Sequence, residues 1–194
     1  MGMEEYVVVL DYLALGHAEG ERPLYRREPV VYAIGETFLT LMELVPKRGV
    51  QLKAHDRVYV GKDERREIDY IKRRVSYNDL SSAAKSELPY VVEEIVARRE
   101  KKFLEFFNQA QPLTTRLHGL ELLPGIGKKL MWEILEERKK KPFESFVDMA
   151  QRIKAVPDPK KPITRRIVAE LQADEARTGK AKYKLFTIPL SKKA

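Results

Sequence analysis

Leu123-Pro124-Gly125-Ile126-Gly127-Lys128-Lys129 is the stretch on which the reading of the chain turns. A Pro-Gly pair followed two residues later by a second Gly marks a tight turn. Downstream, Leu130, Ile134 and Leu135 recur at helical spacing, and the run ends at Arg138 and three lysines. Upstream, Thr114 to Leu122 is apolar at Leu117, Leu120 and Leu122 and also reads as helical. The pattern therefore predicts a tight turn between two helices. The glycines tolerate positive φ and allow bare backbone to approach a partner. The helix that opens there leaves its first amides, near Gly127 and Lys128, without intrahelical acceptors. Those amides and the positive end of the helix dipole favour an anion, and Lys128 and Lys129 add two charges. A nucleic-acid phosphate fits such a site. Without a ligand, the same residues make an ordinary corner between packed helices.

The bulk composition narrows the classes. At 194 residues the chain can hold one large domain or two small ones, and a 43% hydrophobic content supports a real core. It has no cysteine, so disulfides and thiolate metal sites are excluded. Charged residues reach 34%, above the usual quarter, which suits a hot-living source. No apolar run approaches the roughly 18 residues of a membrane span, and the start lacks a signal-peptide pattern. A cytoplasmic protein is expected. The net charge of +8 is uneven. Residues 1–111 carry 18 Lys and Arg against 19 Asp and Glu, whereas residues 112–194 carry 19 against 10. The positive excess thus lies in the half that holds the glycine turn, which favours a polyanionic partner.

Taken in order, Tyr6 to Ala14 reads as a strand, as do Val30 to Ile34 and Phe38 to Val45. Val50 to Leu52 and Val58 to Val60 are short pieces, and Ile68 to Tyr77 suits either a last strand or a helix. Strands at this spacing predict a small OB-like β-barrel over residues 1–77. Linker helices follow over 78–111: a short one from Ser81 to Glu87, then a second opened by Pro89. A helical domain spans 112–175, with further helices over Glu144 to Lys154 and Thr164 to Ala173. Between those two, Val156 to Pro162 is a proline-rich rigid turn, a degenerate second hairpin. Residues 176–194 are a basic linker and a C-terminal strand, Tyr183 to Ile188, expected to return to the barrel because one strand cannot stand alone. The fold class is α+β.

Two resemblances extend this reading. Leu123-Pro124-Gly125-Ile126-Gly127 resembles the hairpin of the helix-hairpin-helix motif, which binds nucleic acid without sequence specificity. That resemblance implies a phosphate on the hairpin amides and Ile126 plugging the gap between the helices. The motif usually carries a small residue four positions after the second glycine, where this chain has Met131. The wider chain resembles an archaeal family of uncharacterised proteins, domain of unknown function 655. The likeness lies in Arg116 to Gly127, Pro142-Phe143-Glu144-Ser145-Phe146, Arg57-Val58-Tyr59-Val60-Gly61 and Phe106-Phe107-Asn108. It implies a nucleic-acid-binding protein with an OB-like barrel and no assigned reaction.

The expected function is non-catalytic nucleic-acid binding, with RNA ahead of DNA. The binding set is Gly125, Ile126, Gly127, Lys128 and Lys129, joined by Lys160, Lys161, Arg165 and Arg166 as point charges. Tyr25, Tyr32 and Tyr59 are candidate stacking residues on the barrel. No catalytic residue, metal ligand or cofactor is assigned. The histidines His17, His55 and His118 are far apart, and the pairs Asp63-Glu64 and Glu93-Glu94 read as surface charge. The alternatives are a metal-dependent nuclease whose carboxylates meet only on folding, or a protein-docking module.

Overall fold

The computed structural model describes residues 3–16, 28–173 and 183–187. The fold is mixed α/β. Five antiparallel strands form a curled sheet: β1 Tyr6–Leu13, β2 Val30–Gly35, β3 Leu41–Pro46, β4 Arg57–Tyr59 and β5 Ile68–Arg74. Their spatial order is β4-β1-β2-β3-β5. Three strands run as a meander and β4 returns beside β1, which is a Greek key extended by β5. The sheet is a half-barrel with β4 and β5 at its two edges, and Val50 to Leu52 is not a strand.

Both faces of this sheet are buried, which explains the nearly continuous apolar run of β1. Val7, Val9, Val31, Ala33, Met42 and Leu44 point into the concave side and pack with Val58, Val60 and Ile68. Val8, Leu10, Tyr32, Ile34 and Leu41 point the other way, into the larger core shared with the helices. Tyr32 is only 2% exposed, so it offers no ring to a base. Tyr59 is half-buried, edge-on to Tyr6 at 5.3 Å, with its hydroxyl on Asp63. Tyr25 and His17 lie outside the described residues.

Helix α1 spans Ser82–Arg98 without a break. The expected division before Pro89 does not occur. Ala84, Leu88, Val91, Val92, Ile95 and Val96 form one buried stripe that runs through the proline. Burying that stripe outweighs the one backbone hydrogen bond that Pro89 removes. Ser81 caps α1, accepting from the Ala84 amide, and its hydroxyl donates to Asp11 on β1 at 2.6 Å. At the other end Glu36, buried after β2, accepts from Arg57 and Arg98. Burial pushes the Glu36 carboxyl up, but the hydrogen bonds from the two guanidinium groups outweigh it and hold it below the usual range. Helix α1 is therefore a wall between sheet and helices, and one apolar core continues across it into the C-terminal half.

Helix α2, Glu100–Gln109, follows a break at Arg99. Then comes a departure from expectation. The segment before the glycine turn is not a helix but a small hairpin, β6 Pro112–Thr114 and β7 Leu117–His118, followed by a single 3-10 turn over Gly119–Leu122. His118 and Glu121 cap that turn reciprocally, His118 accepting from the Leu120 amide and Glu121 from the His118 amide. The apolar residues Leu120, Leu122 and Leu123 are buried, as a helix pattern requires, but the run is too short to propagate one. Helices α3 Lys128–Lys140, α4 Phe146–Arg152 and α5 Lys160–Gln172 complete the half. Helix α5 starts inside the expected proline-rich turn, with Pro162 in its first turn, where its missing N–H costs nothing.

The C-terminal segment corrects the expectation most plainly. Residues 183–187 form no strand and do not join the sheet. They dock on α2 and α5. Phe186 meets Phe103 and Phe106 edge-on at 5.6 and 5.0 Å. The carboxylate of Glu170 accepts from the amides of Leu185, Phe186 and Thr187 at 2.7, 3.0 and 3.0 Å, and from the Thr187 hydroxyl. One side chain thus replaces the strand partner that the segment was expected to need. Among the described residues no helix is long and apolar enough to cross a membrane.

Glu170→Ala should expose the importance of this docking. It leaves Arg166 buried without its carboxylate and four donors without an acceptor. A loss of about 3–5 kcal/mol is expected in urea unfolding followed by circular dichroism. A change under about 1 kcal/mol would mean that the segment and Arg166 are satisfied some other way.

Candidate nucleic-acid interface

The glycine turn lies at the foot of α3. Gly125 has φ of +90°, a conformation that a side chain resists, and a Cβ there would meet nothing within 4 Å. Gly127 is the residue that opens α3, with φ −88° and ψ 179°. That backbone suits any residue, and a Cβ at Gly127 would also meet nothing. Gly125 is therefore demanded by the turn, whereas Gly127 is not demanded by the fold. No side chain caps α3. Helices α1 and α4 are capped by Ser81 and Ser145, whereas α2 and α5, like α3, have no side-chain cap. The first amides of α3 thus have no side-chain acceptor among the described residues, beside bare glycine backbone.

Ile126 is buried and its side chain packs into the main core, so it anchors the turn. Its amide donates to the Leu123 carbonyl at 3.0 Å, closing the turn. Met131 is buried in the same core, which occupies the space where a small residue would let two helices approach. The chain instead packs a 3-10 turn there.

The expected cations divide into two groups. Lys128 and Lys129 are exposed and make no ion pair or hydrogen bond among the described residues. Lys161 and Arg165 are likewise exposed, four residues apart on one face of α5. Lys160 is half-buried and lies 3.5 Å from Glu93 of α1. Arg166 is only 5% exposed and is withdrawn from any phosphate role. Its Nε donates to Glu170 at 2.8 Å, and its other nitrogens donate to the carbonyls of Leu122 and Tyr183. The sequence suggested a surface cation there because α5 carries Arg165-Arg166 in tandem, but adjacent helical positions point to different faces.

At the far end of α3 the lysines are neutralised. Lys139, Lys140 and Lys141 pair with Glu136, Glu137 and Glu144. Arg152 of α4 donates to the carbonyls of Glu137 and Lys141, closing the helix. Arg138 turns inward and donates to the carbonyls of Phe107 and Ala110 at 3.0 Å each, which ties α3 to the end of α2. Burial holds the Arg138 pKa below its ordinary value. Asn108 makes a reciprocal pair with the Phe143 backbone and adds a second tie. The turn is therefore held on a rigid scaffold.

Beside the turn, a groove of about 650 Å³ runs between the β6–β7 hairpin and α3. Its walls include Leu117, Met131, Trp132 and Leu135, and Arg116, Lys128 and His118 also face it. Trp132 is 58% exposed, an unusual state for so large an apolar side chain. Sequence reading did not single it out. The available signal was its place four residues after Lys128, on the same helical face. Burial and the nearby Arg138 charge hold the His118 pKa below the ordinary imidazole value. Among the described residues no three acidic or histidine side chains converge as a metal site would need.

Comparison with known proteins places the chain. Residues 3–188 match the family described as protein of unknown function, DUF655. The chain belongs to that family. Within DUF655 it is 47% identical over 183 residues to the uncharacterised protein MJ0038 of Methanocaldococcus jannaschii, covering 94% of this chain and 79% of that one. It is also similar to the crystal structure of Af1531 from Archaeoglobus fulgidus, a DUF655 protein. There the TM-score is 0.87 at 51% identity, with 95% of this chain and all of the other covered. The half-barrel and helices are thus the architecture of an experimentally determined DUF655 relative.

The two glycines should separate in stability. Gly125→Val forces a β-branched residue to positive φ and should cost about 1–3 kcal/mol. Gly127→Ala should cost under about 1 kcal/mol, since its backbone is ordinary and its surroundings open. Thermal melts followed by circular dichroism measure both, and equal losses would contradict this description of the turn.

Proposed function

We propose that this DUF655 protein is a non-catalytic nucleic-acid-binding protein that grips the phosphate backbone at the Gly125–Lys129 turn. The observation that carries this reading is an uncapped helix start, free of ion pairs, at a glycine that the fold does not require. Uncapped amides, a positive helix end and two lysines unpaired among the described residues favour an anion together. The basic excess of residues 112–194 adds long-range attraction for a polyanion.

We read the turn as a variant helix-hairpin-helix element, with the 3-10 turn standing where the first helix would be. We read the sheet as OB-like. Five strands in Greek-key order, open between β4 and β5, support that reading. The face of β2 and β3 that such barrels offer to oligonucleotides is covered here, since every residue of both strands is buried. That covering favours the turn over the sheet as the contact surface. Phosphate is common to RNA and DNA, so the RNA preference expected from the sequence is tested by using both.

Lys128→Ala with Lys129→Ala removes two unpaired charges beside the turn. Lys140→Ala with Lys141→Ala removes two charges that already have carboxylate partners. In a salt titration of oligonucleotide binding by fluorescence anisotropy, the first pair should flatten the log-affinity slope by up to about 1.4 on a single strand. The second pair should change it by much less. Affinity should fall evenly across sequences, because phosphate contacts position without specifying. Equal slopes for both double variants would move the interface away from the turn. Cleavage of the oligonucleotide in Mg²⁺ or Mn²⁺, lost on mutating carboxylates, would instead make the protein a nuclease.

A further inference from the structure

The groove beside the turn has a chemistry of its own. Its size is that of a small-ligand site. One wall is apolar and carries the exposed face of Trp132, while the rim carries Arg116 and Lys128, whose side-chain charges find no partner among the described residues. The acidic side chain in the lining, Glu121, is held back on the His118 amide at 2.8 Å. Within the groove His118 is only 7% exposed. Its Nδ1 accepts from the Leu120 amide at 3.1 Å, so the neutral ring carries its proton on Nε2. That Nε2–H has no acceptor among the described residues. A flat aromatic face, an imidazole donor and a cationic rim unpaired among the described residues thus line one recess.

These features match one ligand class. A nucleobase has a π-face for Trp132 and edge acceptors for the His118 N–H, and it brings a phosphate on either side. A base inside a duplex has both faces covered by its neighbours. We propose that the groove holds an unpaired base of a single-stranded nucleic acid, stacked on Trp132 and hydrogen-bonded by His118, with its backbone crossing Lys128 toward the glycine turn. This rests on the phosphate reading of the turn and adds the strand state of the ligand. The turn alone would grip single and double strands alike, whereas turn and groove together select the unpaired strand.

Trp132 is the only tryptophan in the chain, so its emission reports the groove directly. The whole protein is titrated at low salt with a single-stranded oligonucleotide of about 12 mixed-sequence nucleotides, as RNA and as DNA. The same measurement is made with its duplex and with an abasic strand of equal charge. Anisotropy and tryptophan emission are read together. The single strand should quench Trp132, while the abasic strand should bind more weakly and leave the emission unchanged. Trp132→Ala should weaken single-strand binding about 5- to 150-fold, the range expected for one stacked base. Trp132→Phe should recover most of that loss. Three results would overturn the proposal. Binding that is unchanged in Trp132→Ala, without quenching in the native protein, would remove the base site and leave the phosphate reading standing. Equal quenching by duplex or abasic strand would show that the base is not what Trp132 meets. Failure of every oligonucleotide to bind would overturn both readings and leave the groove as a seat for a protein partner.

Discussion

Arg166 and Glu170 are opposite charges held out of water one turn apart on α5, and the C-terminal half is arranged around satisfying them. A buried ion without full hydrogen bonding costs several kcal/mol. Glu170 meets that demand with the Arg166 guanidinium, three backbone amides of the 183–187 segment and the Thr187 hydroxyl. Arg166 directs its remaining nitrogens to the carbonyls of Leu122 and Tyr183. One pair thus joins α5, the docked C-terminal segment and the residue that leads into the glycine turn. It also removes Arg166 from the surface.

The turn itself follows the opposite rule. Around it, polar groups are closed off: Ser81 and Ser145 cap their helices, Arg138 closes α2 and Arg152 closes α3. At the start of α3 a Ser or Asp cap in place of Gly127 would add only about a few tenths of a kcal/mol of stability. The chain has Gly127 there, and the amides stay open. The proposed phosphate contact rests on this uncapped start beside Lys128 and Lys129, which make no ion pair among the described residues.

Much of this was legible in the sequence. The strands β1 to β3 could be read because their apolar residues are dense and bounded by Gly and Pro. The turn at Gly125 could be read because Pro-Gly chemistry is local. Helix α3 followed from 3.6-residue spacing. Other features depended on contacts between distant residues. Pro89 suggested a helix start, but the buried stripe on either side of it carries α1 through. Thr114 to Leu122 had helical spacing over too short a run, and pairing of β6 with β7 took its first half. The 183–187 segment looked like a strand because it is rich in aromatic and aliphatic residues, yet a single carboxylate earlier in the chain, Glu170, supplies its acceptors. Trp132 carries no exposure signal in the sequence, and only the fold shows that it is 58% exposed.

The central claim is that the turn touches the nucleic acid through its backbone. It is tested most directly by amide resonances of the isotope-labelled protein during titration with a single-stranded oligonucleotide. If the claim holds, the amides of Gly127, Lys128 and Lys129 shift first and furthest, while those of β5 hold still. The largest shifts falling instead on the exposed basic run Lys72 to Arg74 of β5, with the turn unmoved, would contradict it.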